Sequence, residues 1–175
     1  AKPLVAVSIP PQKFFVPKIA GTLIDVMVML PPGASPHVFE PRPQQMAEFS
    51  RARAYFTVGI EFEEAGRERF LRQTRQTIPG LPTDLGITKM SHGDDHSSSE
   101  HETHAHEGLD PHVWLSPELV KHQAEAIADG LSRLFPEHGT VFRRNDSLFT
   151  AEINRLQDSI RVILSGAKKG QPFLV

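Results

Sequence analysis

Short apolar runs alternate with amphipathic or charged segments along the first half of the chain. Three of these runs, at residues 4–8, 26–30 and 54–58, are rich in Val, Ile, Leu, Met or aromatic residues. Each is too short for a stable helix and has the composition of a strand that is buried on both faces of a parallel sheet. The pattern therefore predicts three buried strands.

Helical segments are expected between these runs. Phe14, Phe15 and Ile19 fall on one helical face, and Pro43 suits the first turn of a second helix. Residues 61–73 form a third helical candidate that is charged and only weakly amphipathic. Strands that alternate with helices predict an α/β domain with a mostly parallel sheet.

The pattern changes to long amphipathic helices in the second half. Ser116 is a good N-cap and Pro117 suits a first turn, so a helix is expected from there until Pro136. A second apolar stripe follows; if it is continuous over residues 138–165, that helix is about 42 Å long. A last apolar run lies at residues 172–175.

Composition indicates a globular protein and excludes several functional classes. The 175 residues suffice for one ordinary domain, and 39% of them are hydrophobic. A formal charge of −2 offers no electrostatic footprint for nucleic acid or an anionic membrane. The absence of cysteine excludes disulfides, thiolate metal sites and cysteine nucleophiles. No apolar run is long enough to span a bilayer.

Histidine is the unusual residue, because five of the nine fall within residues 91–108, which read SHGDDHSSSEHETHAHEG. Such a segment cannot pack a core, so we expect a mobile surface loop. Its imidazoles offer auxiliary, low-affinity metal sites that would collect, sense or pass on an ion; the alternative is a solvated linker. These residues are His92, His96, His101, His104 and His106.

Two other histidines lie in loops stiffened by proline. His37 lies in PPGASPHVFEPRP after the second predicted strand, and His112 lies in GLDPHVWLSP before a predicted helix. Loops at the carboxyl ends of parallel strands are where α/β folds bind ligands. The residues alone leave two interpretations open: a pair of metal ligands, or two loop histidines bonded to the backbone.

Three carboxylates are candidates for a supporting role. Asp110 is placed to orient His112 through its second ring nitrogen, as metal-bound histidine usually requires, or simply forms a turn. Glu61 and Glu63 are candidates for groups behind the metal ligands or at a hinge, or they mark the start of a surface helix.

Both histidine motifs, in this order and with an acidic His-rich tract ahead of the second, resemble those of the cluster A-I periplasmic solute-binding proteins of ABC metal importers. The match is with the zinc-receptor branch, and it extends from the opening strand and IAG to the long helix and the final PFLV. The resemblance implies two α/β lobes joined by a rigid helix. One histidine from each of two N-lobe loops, here His37 and His112, would then bind metal together with C-lobe residues.

The same resemblance implies a domain organisation in which the chain is a parallel-sheet N-lobe with a long C-terminal linker helix and without the C-lobe. The metal-binding lobe would cover residues 1–115, with a further helix at 116–137. The interlobe helix would cover 138–166, and residues 167–175 would begin the C-lobe. A linker helix without its second lobe would expose apolar surface, so we expect a homodimer or helix swap through residues 142–175.

The function implied by the resemblance is a periplasmic receptor, its signal peptide already removed, that captures Zn²⁺ and delivers it to a membrane permease. Imidazole ligands favour Zn²⁺ over Mn²⁺, so a manganese receptor of the same family is disfavoured. A histidine-rich metal buffer or sensor is the alternative. A zinc hydrolase has less support because the sequence contains no HExxH motif or nucleophile elbow. We therefore expect no enzyme activity.

Overall fold

The computed structural model describes residues 1–35, 39–63, 66, 78–90 and 109–167. The strands within these ranges are β1 (Leu4–Val7), β2 (Asp25–Val28), β3 (Tyr55–Thr57) and β4 (Gly80–Pro82). The α-helices are α1 (Pro10–Ala20), α2 (Pro43–Phe49), α3 (Pro117–Leu134) and α4 (Gly139–Ile163). Short 3-10 turns precede α3 and α4, at Val113–Leu115 and Pro136–His138.

The four strands form one parallel sheet in the order β2-β1-β3-β4. The predicted α/β class and parallel sheet are therefore confirmed. Strand β4 was not predicted, because its sequence, Gly-Leu-Pro, contains two residues that are depleted in strands. It is tolerated at the edge of the sheet, where β3 supplies its only neighbour among the described strands.

The sheet is covered on both faces, and β1 at its centre serves both sides. Val5 and Val7 join a core with α1, α3 and α4, while Ala6 joins a second core that includes α2. Alternate side chains of a strand point to opposite faces, so the nearly all-apolar run of β1 reflects burial on both sides. The prediction that Phe14 shares a buried helical face with Phe15 and Ile19 is wrong. Phe15 and Ile19 are buried, whereas Phe14 is exposed.

The two long helices confirm the pattern of the second half, and each plays a different part. Helix α3 packs on the sheet so closely that a Cβ at Gly130 would lie 2.9 Å from Phe56 Cε1. Helix α4 has 25 residues and is about 37 Å long. It buries Phe142, Phe149 and Ile153, whereas the apolar side chains after Ile153, such as Leu156, are exposed.

Some predictions lie outside the described residues. Residues 61–63 are helical, but most of the predicted 61–73 helix is not described; neither are the His-rich tract and the run at 172–175. The domain boundaries at 115, 137 and 166 remain predictions. Among the described helices, none is both long and apolar enough to cross a membrane.

Candidate metal centre

His112 lies in the loop that leads into α3, and its imidazole is oriented by Asp110. One oxygen of this carboxylate, Oδ1, accepts the backbone N–H of His112 at 3.0 Å and lies 2.7 Å from its Nδ1. When the ring is neutral and Nδ1 donates to the carboxylate, Nε2 keeps a free lone pair. The side chain of His112 is 55% exposed. This is the arrangement that a metal-binding imidazole needs, with one nitrogen held and the other accessible.

The loop that carries His112 is anchored to the body of the domain on both sides. Val113 is buried in the core that includes α2, and Trp114 packs against both cores. The rings of His112 and Trp114 are 5.1 Å apart, centroid to centroid. On the other side, the N–H of Asp110 donates to the carbonyl of Met90 at 2.8 Å. Asp110 is therefore held through its backbone, while its side chain orients the imidazole of His112.

A polar network lies at the carboxyl ends of β1 and β3. These two strands are neighbours in the sheet, and β2 and β4 lie on opposite sides of them. Ser8 Oγ lies 2.7 Å from Tyr55 Oη, and Gln12 Oε1 accepts the backbone N–H of Ser8 at 3.0 Å. The amide of Gln12 reaches Thr83 Oγ1 at 3.2 Å. Burial raises the pKa of Tyr55 well above its ordinary value, so the phenol stays neutral. These groups brace the edge of the sheet at which ligands bind in α/β folds.

The two candidate glutamates differ in their surroundings. Glu61 is exposed, whereas Glu63 is half-buried, and its two oxygens accept the backbone N–H groups of Val58 and Gly59 at 2.8 and 2.7 Å. Burial raises the pKa of the Glu63 carboxyl above its ordinary value, and the charge of Asp84 acts in the same direction. The bonds from Ser8 and the two N–H groups oppose this rise. Glu63 thus holds the turn after β3.

The other predicted metal-binding residues are not described by the structure. They are His37, His92, His96, His101, His104 and His106. Over the part of the chain that the structure describes, no group of three or more His, Cys, Asp or Glu side chains could hold a metal ion. The proximity of His37 and His112 therefore stays a prediction.

Sequence reasoning missed the charged pair next to Glu63. Lys89 Nζ and Asp84 Oδ2 are 2.6 Å apart, and their side chains are only 11% and 17% exposed. Nothing in the sequence marks them, because they lie five positions apart on a segment without periodicity. Gly59, two residues after the end of β3, was the available signal for a close approach at this place.

Comparison with known proteins gives the family. A family model described as "Zinc-uptake complex component A periplasmic", ZnuA, matches residues 5–175. The zinc-binding protein AdcA of Streptococcus pyogenes is 30% identical over 166 residues, which cover 89% of this chain and 32% of that protein. The high-affinity zinc uptake system protein ZnuA of Yersinia pestis is 29% identical, covering 94% of this chain and 57% of that protein. The chain thus spans between a third and three fifths of these relatives.

Solved structures agree with this assignment. A zinc-bound ZnuA deletion mutant is 35% identical to this chain with a TM-score of 0.80, covering 95% of this chain and 60% of that one. FpvC of Pseudomonas aeruginosa with bound Ni²⁺ has a TM-score of 0.79 at 19% identity, which shows a shared fold alone. It covers 97% of this chain and 57% of that one. With the matching fold and a family model that spans nearly every residue, this chain belongs to the ZnuA family of periplasmic zinc-uptake receptors.

Proposed function

We propose that the chain takes part in capturing Zn²⁺ in the periplasm and in delivering it to the membrane permease of an ABC importer. The observation that carries the proposal is the His112–Asp110 pair, which leaves Nε2 accessible in a loop anchored at both ends. His37 is the proposed partner ligand, on the family resemblance of its loop. Membership of a family of solute-binding receptors supports a binding role rather than catalysis.

The ion is proposed from the chemistry of the ligands. Imidazole nitrogen suits Zn²⁺, whereas Mn²⁺ prefers carboxylate and water. The relatives named above are zinc-binding or zinc-uptake proteins, while structural neighbours hold Ni²⁺ or Mn²⁺. Zn²⁺ takes about four ligands in tetrahedral geometry, so two histidines leave two positions to other groups. The His-rich tract is proposed to offer auxiliary sites rather than the tightest one.

A zinc titration of single variants tests this proposal. Zinc binding is measured by competition with a chromophoric chelator for the chain as it stands, for His37→Ala and for His112→Ala. His138→Gln is the matched control, because His138 lies in the turn before α4 and its ring contacts that of Phe142. Each alanine variant is expected to lose the tightest site, and the control is expected to keep it.

Deletion of residues 91–108 separates the receptor from a histidine-rich buffer. A receptor keeps its tightest site without the tract and loses only weaker binding. Loss of nearly all zinc binding on deletion, with His37→Ala and His112→Ala unaffected, would overturn the proposal in favour of the buffer. Repeating the titration with Mn²⁺ tests the choice of ion, and tighter binding of Mn²⁺ would reject zinc as the cargo.

A further inference from the structure

The turn after β3 is held from two sides by groups of opposite charge. On one side the Glu63 carboxylate accepts the N–H groups of Val58 and Gly59. On the other side Lys89 Nζ donates to the carbonyls of the same two residues, at 3.2 and 3.3 Å. Asp84 balances the charge of Lys89 at 2.6 Å. We call these three charged residues the β3 clamp.

Glycine at position 59 is what allows the clamp to close. Gly59 has a φ of +73°, a conformation that L side chains rarely adopt. A Cβ at this position would also collide with Lys89 Nζ and Asp84 Oδ2. The backbone is therefore bare at the point where the ammonium approaches it.

The clamp is poor as a stabilising device by itself. An ammonium and a carboxylate that are almost completely buried lose much of their hydration, and their attraction repays this loss only in part. An apolar pair of similar size is often equally stable. We therefore interpret the Lys89–Asp84 pair by the backbone geometry that it fixes rather than by a gain in stability.

That geometry leads directly to the candidate metal ligand. Lys89 is followed by Met90, whose carbonyl accepts the N–H of Asp110 at 2.8 Å, and Asp110 orients His112 at 2.7 Å. The segment that contains Lys89 is thus fixed to the end of β3 one residue before it meets the loop of His112. A displaced Lys89 would move the carbonyl that holds Asp110.

We propose that Lys89 is a positioning residue of the metal site. By tying its segment to the Val58 and Gly59 carbonyls, it holds Asp110 where the carboxylate fixes the imidazole of His112. The part that concerns zinc rests on the function proposed above, whereas the orientation of the imidazole does not need metal. The two can therefore be tested separately.

The test uses Lys89→Met, which keeps the length of the side chain and removes its charge and donors. The matched control is Lys121→Met, because Lys121 also pairs with a carboxylate, Glu118, at 2.7 Å but lies on α3. The first readout is the ¹⁵N chemical shifts of the imidazole of His112 in the zinc-free protein, which report whether Nδ1 still carries the proton shared with Asp110. The second readout is zinc affinity.

In Lys89→Met, the ¹⁵N chemical shifts of the His112 ring are expected to move toward those of an imidazole that exchanges freely between its two tautomers. Zinc binding is expected to weaken about 10-fold or more, because mutation of a group that supports a metal-bound histidine has an effect of this size. Lys121→Met is expected to change neither. Unchanged ring shifts in a folded Lys89→Met protein would overturn the proposal, as would equal shifts in the control.

Lys89→Met removes the cation that pairs with the buried Asp84 carboxylate. If this variant does not fold, the double variant Asp84→Asn/Lys89→Met is used in its place. The double variant removes the buried charge while it still lacks the clamp, so it should show the same ring shifts. If neither protein folds, Lys89 serves stability and the positioning role is rejected. If His112→Ala leaves zinc affinity unchanged, the proposed function fails, but the zinc-free ring shifts still decide the role of Lys89.

Discussion

The contact between α3 and the sheet predicts the effect of a single methyl group at Gly130. In Gly130→Ala the new Cβ would lie 2.9 Å from Phe56 Cε1 and 3.0 Å from Leu81 Cδ1. Phe56 is completely buried at the centre of the sheet, so its ring has little room to retreat. Crowding of this kind costs about 1–3 kcal/mol.

Helix propensity acts in the opposite direction. Alanine in the interior of a helix is about 1 kcal/mol more favourable than glycine. The net loss in the free energy of unfolding is therefore about 1 kcal/mol, with a ceiling of about 2 kcal/mol. For a domain of this size, 1 kcal/mol lowers the melting temperature by about 2–4 °C.

Urea and thermal unfolding, followed by circular dichroism, measure this difference. Gly139→Ala is the matched control, because the nearest atom to its Cβ belongs to the flexible side chain of Arg143, at 3.3 Å. The control should be as stable as the original chain or slightly more stable. If Gly130→Ala were as stable as its control, α3 would not pack on Phe56 as closely as the reasoning requires.

Three further expectations concern the site and the surface. Asp110→Asn is expected to weaken zinc binding about 10- to 100-fold in a chelator competition, because an amide orients the His112 ring less firmly than a carboxylate. Asp146→Asn is expected to raise stability at pH 7, since burial, followed by two nearby carboxylates, raises the pKa of Asp146 above its ordinary 3.8. Its folded form binds protons more tightly, so stability falls as pH rises from about 3.8 through the folded pKa, and the advantage of Asn should disappear below about pH 3.8. Finally, the exposed apolar face of α4 is expected to pair with a second copy of the chain, and sedimentation should show Leu156→Asp shifted from dimer toward monomer.

One variant on α4 serves as the control for the first two of these experiments. Asp158→Asn removes an exposed carboxylate that pairs with Arg161, and it should change neither zinc affinity nor the pH dependence of unfolding. Equal zinc affinity in Asp110→Asn and Asp158→Asn would contradict the orienting role of Asp110. A pH-independent stability difference for Asp146→Asn would contradict the titration argument. A chain that sediments as a monomer at micromolar concentration would show that α4 does not pair.

The elements predicted from sequence are those whose signal is local. The runs that predicted β1, β2 and β3 are apolar because both faces of the sheet are covered, although β2 spans Asp25–Val28 rather than 26–30. The spacing of apolar residues in α3 and α4 follows the helical period. Strand β4 has no such signal, because its Gly-Leu-Pro sequence does not favour a strand. It forms because it pairs with β3. Its existence is a tertiary effect.

The candidate site divides in the same way. Asp110 and His112 are two residues apart on a proline-stiffened loop, so their contact could be expected from spacing. Lys89, Glu63 and Asp84 are dispersed in sequence and meet only because the chain folds around the turn at Gly59. No local pattern indicates them. The exposure of the part of α4 after Ile153 likewise depends on what packs beside it rather than on its own period.

The burial of only part of α4 has a mechanical consequence. The helix is held in the core at Phe142, Phe149 and Ile153, and none of the large apolar side chains in the ten residues after Ile153 is buried. These ten residues are about 15 Å long, so a tilt of 5° at Ile153 moves the end of the helix by about 1.3 Å. A slight repacking around Ile153 is therefore carried to the end of the helix as a displacement of more than about 1 Å.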